Sequence, residues 1–295
     1  TGLSTDQIAH LTSNQVGAFT TAQAAVLSSA QAAAFETSDI SALSTLAVRA
    51  LTTAAVAALD TAQILALTTL QTSSLTSTQV QALSSAQIAA LESTDIAALK
   101  STQVAVLDTN QAAAIETRDI SALTTLNVRA LSTAAINALG TDQIQALTTA
   151  QTSALTTAQT SALTTTQIAA LESTDLAVLS SAQVAVFNSA QAGAIETRDI
   201  AAMTTLAVRA LTADAITGLS TDQIAHLTSN QVGAFTTIQS AVFNAAQSAA
   251  LETNTLSAMS TTAVRNLTTS AISFRTVVSM VNREWPAHTL RSCGW

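Results

Sequence analysis

Large apolar residues recur at every eighth position over most of the chain. The series runs from Leu3 through Leu11 and Phe19 to Leu267 without an insertion. The intervening residues follow the pattern [S/T]-[S/T]-x-Q-[I/V]-x-A-L, as in 84–91. We number each such octad from 1 to 8, so that the large apolar residue is position 8 and Gln is usually position 4. Self-similarity of this regularity indicates a tandem-repeat architecture.

One very short helix per octad is the conformation that this pattern favours. In a continuous helix, eight residues would move the apolar stripe round by about 80° in each octad, so no face would remain apolar. The Ser or Thr at position 2 is a good N-cap. The next six residues, such as 166–171, would then form about one and a half turns, with positions 5 and 8 on one face and a small Ala at position 7. We therefore predict an all-α solenoid, a superhelix of stacked short helices.

A β-solenoid is the alternative fold. Its turns would require Gly, Asn, Asp or Pro, which are scarce here, and the adjacent apolar positions 7 and 8 break strict alternation. The helical prediction has one weakness of its own. The junctions between octads mostly lack the Gly or Asn that usually follows the last turn of a helix.

A longer period is superimposed on the octads. The segment STDQIAHLTSNQVGAF occurs unchanged at 4–19 and 220–235. Related segments of sixteen residues, each containing an Arg, occur at 36–51, 116–131 and 196–211, which are 80 residues apart, and in degenerate form at 252–267. Block duplication of this kind lengthens an object without changing its cross-section, and is typical of a spacer or fibre.

Two regions differ in composition. The repeats extend over 1–273, and a non-repeat tail at 274–295 contains both Trp residues, Pro286 and Cys293. We expect the tail to cap the last repeat, because the terminal repeats of a solenoid must cover an apolar face. A docking tail is the alternative. The chain begins at Thr1, and we expect it to be a fragment or processed form of a longer protein.

Charge and composition exclude several classes of partner. The net charge is −8, charged residues make up 9% of the chain, and Lys100 is the only lysine. Nucleic acid and anionic lipid require a basic surface that this chain lacks. Thr and Ser interrupt the apolar residues too often for a membrane span.

The sequence offers no candidate catalytic, cofactor-binding or metal-binding site. His10, His226 and His288 are isolated from one another and lack the spacing of metal ligands. A Glu and an Asp three residues apart recur in five octads, as in Glu116 and Asp119. Acids at the start of a helix complement its macrodipole, which explains these pairs better than acid–base catalysis does. We therefore predict that the protein is not an enzyme and needs no cofactor.

Four acids each precede an arginine by thirteen residues. These candidate ion pairs are Glu36 with Arg49, Glu116 with Arg129, Glu196 with Arg209, and Glu252 with Arg265. Pairing between neighbouring octads or between chains is one interpretation of this spacing. Sequence inherited through block duplication is the other.

The units LSSAQIAAL (83–91) and LTTAQTSAL (147–155) resemble the LTTAQIAAL-type octapeptide repeats of large bacterial exported, adhesin-like proteins. The resemblance implies a cell-surface or extracellular location and no catalytic residues. We expect an elongated spacer or a filament that self-associates. The alternatives are a module that binds glycan or a solid surface through its Thr/Ser-rich faces, and an intracellular length ruler or scaffold.

Overall fold

The computed structural model describes residues 2–267, apart from the side chains of residues 253 and 254. The chain divides into two compact units, Thr1–Ala162 and Leu163–Trp295. Across the described residues the secondary structure is helical and no strand is present. The all-α prediction is therefore confirmed, and the β-solenoid is not supported. The tail predicted at 274–295 lies outside the described residues.

Each described octad forms one helical segment. The first unit contains α1 Thr5–Ala9, α2 Ser13–Gly17, α3 Thr21–Ala24, α4 Ser29–Ala33, α5 Thr37–Ile40, α6 Thr45–Ala50, α7 Thr53–Ala57, α8 Thr61–Leu65, α9 Thr69–Ser74, α10 Ser77–Gln81, α11 Ser85–Ala89, α12 Ser93–Ala98, α13 Ser101–Val104, α14 Thr109–Ala114, α15 Thr117–Ile120, α16 Thr125–Ala130, α17 Thr133–Ala138, α18 Thr141–Gln145, α19 Thr149–Ala154 and α20 Thr157–Ala162. The second unit contains α21 Thr165–Ala170, α22 Ser173–Val178, α23 Ser181–Val184, α24 Ser189–Gly193, a 3-10 helix Ile200–Ala202, α25 Thr205–Ala210, α26 Ala213–Gly218, α27 Thr221–Ala225, α28 Ser229–Gly233, α29 Thr237–Ser240, α30 Ala245–Ala250, α31 Thr253–Leu256 and α32 Thr261–Arg265. One short helical segment per octad is thus confirmed.

The residue at position 1 caps each helix in most octads. Ser84 has extended backbone angles, with φ −73° and ψ 162°, and α11 begins at the next residue. Its Oγ accepts a hydrogen bond from the N–H of Gln87 at 3.3 Å, and the Oε1 of Gln87 accepts the N–H of Ser84 at 2.7 Å. This reciprocal arrangement is a capping box, which requires a spacing of three residues between the cap and the Gln. The prediction of a cap at position 2 is therefore wrong by one residue, because position 2 already lies in the helix.

The junctions between helices consist of extended residues. Leu51 at position 8 has φ −56° and ψ 141°, and Thr52 at the following position 1 has φ −65° and ψ 154°. No described residue has a positive φ. Two successive extended residues therefore turn the chain, and a left-handed Gly or Asn is not needed.

Positions 4, 5 and 8 are buried. In octad 84–91, Gln87 is 3% exposed, Ile88 1% and Leu91 1%. The predicted apolar face at positions 5 and 8 is confirmed. Its extension to a polar side chain at position 4 was not predicted from the sequence.

Within each unit, a helix stacks on the helix three octads further along the chain. Helix α4 contacts α7 and α7 contacts α10 in the first unit, and α25 contacts α28 in the second. Side-chain hydrogen bonds between turns join residues that are 25 to 31 positions apart. One turn of the solenoid therefore contains about 28 residues, or three and a half octads.

The amide of the Gln at position 4 joins one turn to the turn before it. The Nε2 of Gln87 donates to the carbonyl oxygens of Val56 at 3.1 Å and Leu59 at 2.7 Å. The same bridge, to residues 31 and 28 positions earlier, is made by Gln63, Gln71, Gln79, Gln103, Gln111, Gln143, Gln151 and Gln159 in the first unit and by Gln223, Gln231, Gln239 and Gln247 in the second. Buried amides and carbonyls cost free energy when they are unpaired, so each bridge satisfies polar groups that would otherwise oppose stacking.

Position 7 lies close to the backbone of the preceding turn. The Oγ of Ser74, at this position, donates to the carbonyl oxygen of Thr45 at 3.3 Å. A Cβ added to Gly218 would overlap the carbonyl oxygen of Ser189. The close approach expected at the small residue of position 7 is thus present.

Replacing a bridging glutamine tests this arrangement. We expect Gln87→Ala to lower the free energy of unfolding by about 2–4 kcal/mol, because it leaves the N–H of Ser84 and the carbonyls of Val56 and Leu59 without their side-chain partner. Urea denaturation followed by circular dichroism measures the change.

Gln81→Ala is the matched control. Gln81 is exposed at position 6, so its truncation should change the free energy of unfolding by less than about 0.5 kcal/mol. Equal effects of the two substitutions would contradict a special role for position 4.

Candidate functional site

The eight residues of the predicted ion pairs lie on the surface. All of Glu36, Arg49, Glu116, Arg129, Glu196, Arg209, Glu252 and Arg265 are exposed. The ion pairs of the described residues instead join Arg118 to Glu116 at 2.8 Å and to Asp119 at 3.6 Å, and Arg198 to Asp199 at 3.4 Å. None of them joins an acid to the arginine thirteen residues later. Pairing between chains stays a prediction.

The aspartates of the Glu–Asp octads are buried, whereas the glutamates are not. They occupy position 4, where most octads have Gln, and comprise Asp39, Asp95, Asp119, Asp175 and Asp199. The Oδ1 of Asp39 accepts a hydrogen bond from the Oγ of Ser13 at 2.6 Å, and Ser93 and Ser173 bond to Asp119 and Asp199 in the same way. Each of these serines lies 26 residues earlier, at position 2 of the octad three units before. Asp is therefore a hydrogen-bond acceptor toward the preceding turn, whereas Gln is a donor.

Asn127 combines both modes at position 4. Its Oδ1 accepts from the Oγ of Ser101 at 3.2 Å, and its Nδ2 donates to the carbonyl oxygen of Leu99 at 2.8 Å. The residue type at position 4 thus selects which backbone or hydroxyl group of the preceding turn is bonded. The sequence suggested helix-start electrostatics for the aspartates, and their bonds to an earlier turn were missed. The signal was available, because Asp and Asn replace Gln at a single position of the octad.

Burial raises the pKa of Asp95 above the usual carboxyl value. The hydroxyl of Thr69 and the backbone N–H of Glu92 donate to the carboxylate and partly offset this rise, while the nearby charge of Glu92 adds to it. A carboxyl group whose pKa is raised on folding binds its proton more tightly in the folded state, so it opposes folding once it is ionised.

The two histidines in the described range are surface residues. His10 and His226 are exposed at position 7. The Nδ1 atoms lie 2.6 Å and 2.8 Å from the carbonyl oxygens of Asp6 and Asp222, so they carry the proton. No group of three or more His, Cys, Asp or Glu among the described residues could hold a metal ion. His288 lies outside these residues.

The hydroxyls of positions 1 and 2 are largely committed to the fold. Those at position 1 accept the N–H of position 4 in most octads, as for Ser84. At position 2, the Oγ atoms of Ser29 and Ser77 donate to the carbonyl oxygens of Ala54 and Thr102, in the next turn. The hydroxyl-rich surface is therefore partly used for capping and stacking.

Three leucines at position 3 are more exposed than their chemistry favours. Leu46, Leu126 and Leu206 are 65%, 67% and 68% exposed. Each lies three residues before an arginine, Arg49, Arg129 or Arg209, and therefore on the same side of its helix. This apolar and basic surface was not predicted, although a Leu at a position that is usually small or polar is a visible signal.

No helix among residues 2–267 is both long and apolar enough to cross a membrane.

Comparison with known families places the repeats in context. A family model described as ALTTAQ repeat matches residues 32–69, 88–125, 112–149, 168–205, 192–229 and 208–237, which together cover more than half of the chain. Comparisons with curated proteins and with solved structures gave no match.

The substitution Asp95→Gln tests the meaning of position 4. The longer amide can reach the carbonyl oxygens of Ile64 and Leu67, 31 and 28 residues earlier, and it removes a buried charge. We expect the free energy of unfolding at pH 7 to rise by about 1–2 kcal/mol.

The pH dependence provides a second readout of the same variant. In the native chain, the contribution of Asp95 to the free energy of unfolding falls as pH rises from about 4 through its raised pKa. Asp95→Gln should lose this component in urea titrations at several pH values. Asp142→Asn, which removes an exposed charge, is the control. Equal pH profiles for the two variants would contradict the prediction.

Proposed function

The chain belongs to the ALTTAQ repeat family, and from this premise we propose an elongated spacer or self-assembling filament on the outside of a bacterial cell. It is a structural repeat protein, built of helical octads. The observation that carries the proposal is the constant separation of 25 to 31 residues between bonded groups of adjacent turns. Because one register is repeated, added octads lengthen such an array without changing its cross-section.

The block duplications support a role that depends on length. The segments at 36–51, 116–131 and 196–211 are separated by 80 residues, which is ten whole octads. An insertion of whole octads preserves every position of the repeat, so the stacking contacts of the added turns are retained. A protein selected for its reach tolerates such changes more readily than one selected for a single pocket.

We propose no enzymatic activity for the chain. The acids that sequence alone could assign to acid–base chemistry have packing roles, since Asp39 and Asp119 bond to hydroxyls of an earlier turn. The extracellular location rests on the resemblance to exported octapeptide-repeat proteins.

Adhesion is the second candidate function. The exposed Ser and Thr residues that recur at positions 1 and 2 favour it, because ordered hydroxyl rows offer hydrogen bonds to a glycan or a mineral surface. Their use as caps and in stacking bonds leaves fewer hydroxyls for a ligand, and we therefore rank adhesion below the spacer.

Negative-stain electron microscopy of the purified chain tests the proposed function. We expect rods or filaments of constant width, because the same register holds each turn to the next. Compact particles would contradict the proposal. Retention of single rods on a glycan array would favour adhesion instead.

The triple variant Arg49→Gln, Arg129→Gln, Arg209→Gln tests pairing between chains. If these exposed arginines meet the acids of another copy, we expect less side-by-side association in micrographs and in sedimentation velocity, with an unchanged melting temperature. Exposed ion pairs contribute little to the stability of a single chain.

Arg118→Gln with Arg198→Gln is the control, because these exposed arginines already pair within their own chain. Association that is unchanged in both variants would leave the thirteen-residue spacing explained by duplication alone.

A further inference from the structure

The first three octads of the first unit have an uncovered side. The side chains of Gln7, Gln15 and Gln23 are exposed, whereas the described glutamines at position 4 from Gln31 onward are buried. Their Oε1 atoms accept the N–H of position 1 in the usual capping box. Within the described residues, their Nε2 atoms have no carbonyl from an earlier turn to bond.

The apolar residues of this first turn are uncovered in the same way. Leu3 is 42% exposed, and Leu11 and Phe19 are half-buried. The residues at position 8 from Leu27 to Leu267 are buried. An apolar strip and a row of amide donors therefore lie side by side on the first turn.

An identical sequence within the second unit shows what fits this surface. Residues 220–235 repeat residues 4–19 without a change. There, Gln223 donates to the carbonyl oxygen of Ile195 at 2.6 Å and Gln231 to that of Met203 at 2.7 Å. Both glutamines are 1% exposed.

The position-8 residues of the interior copy are covered as well, with Leu227 at 3% and Phe235 at 5% exposure. The cover is the preceding turn of octads at 188–203, which offers carbonyls at positions 5 and 8. The surface at 4–19 therefore matches a turn of this repeat rather than an unrelated ligand.

The last repeats of the chain offer the complementary groups. Gln247 is the last glutamine of the sequence. Position 4 of the next two octads is Thr255 and Ala263, neither of which has an amide. The sequence thus places unbonded amide donors in the first turn, and carbonyls without glutamine partners in the last octads.

We propose that the turn formed by residues 4–27 is an end-docking surface that receives the last repeats, 244–267, of a second copy of this chain. Gln7, Gln15 and Gln23 donate to carbonyls at positions 5 and 8 of that copy, in the register of the interior turns. The apolar strip of Leu3, Leu11 and Phe19 is buried in the same contact. This assignment rests on the proposed filament and specifies how its subunits join.

Three double variants with the same change of charge test the proposal in the full chain. Gln7→Glu with Gln15→Glu keeps the capping oxygen, removes the amide donors and places charge against carbonyls. Gln81→Glu with Gln145→Glu makes the same change at exposed position 6. Gln223→Glu with Gln231→Glu makes it in the buried copy of the same sequence.

Sedimentation velocity over a range of concentrations gives the first readout, and thermal melting gives the second. We expect the native chain and the position-6 variant to form assemblies that grow with concentration. In the Gln7/Gln15 variant the association constant should fall at least about tenfold, since one buried hydrogen bond is worth about that factor, with unchanged melting. The Gln223/Gln231 variant should melt at a lower temperature.

Leu3→Lys is a second docking variant, which leaves every capping box intact and should also weaken association. Docking variants that associate as strongly as the position-6 variant would overturn the proposed surface, while a filament joined elsewhere would stand. A native chain that remains monomeric at every concentration would overturn both end docking and the filament, while single rods in micrographs would still support a spacer.

Discussion

The side-chain amide of the glutamine at position 4 carries the polar contact between successive turns of the solenoid. Its oxygen accepts an N–H at the start of its own helix, and its nitrogen donates to carbonyls 28 and 31 residues earlier, as Gln87 does toward Leu59 and Val56. Helices of four to six residues are unstable alone, because the first turn costs more than its few hydrogen bonds return. One buried side chain thus completes the cap of a helix and fixes that helix to the turn before it.

The rest of the octad follows from this constraint. The cap must lie three residues before the glutamine, which places Ser or Thr at position 1. Small residues at position 7 allow the backbones of adjacent turns to approach within reach of the amide. Where position 4 is Asp or Asn, as at Asp39 and Asn127, a serine hydroxyl 26 residues earlier is bonded instead. The repeat therefore tolerates local variation while the register of its turns is kept.

Periodicity alone predicted much of the fold. The spacing of Leu43, Leu51 and Leu59 gave the octad, the absence of strand alternation at positions 7 and 8 favoured helix, and the apolar face at positions 5 and 8 is buried as expected. The cap was misplaced by one residue, because Ser or Thr occupies both positions 1 and 2, and composition cannot tell which of the two is extended. The thirteen-residue spacing of Glu116 and Arg129 gave no ion pair within the described chain, since both side chains point to solvent.

The role of glutamine could not be read from one octad. In a sequence whose units are nearly alike, the partner of Gln87 could lie in any earlier turn, and the number of octads per turn depends on the angle between successive helices. That angle is set by backbone torsions at junctions such as Leu51 and Thr52, which resemble one another in composition throughout the chain.

Hydrogen exchange of the glutamine side-chain amides, followed by NMR on a chain labelled at glutamine, tests the central claim most directly. The account predicts slow exchange at the Nε2 of Gln87 and Gln111, which are buried and bonded to an earlier turn. It predicts fast exchange at the exposed amides of Gln81 and Gln145. Equally fast exchange at all four would show that the bridge between turns is not formed, and would contradict the account.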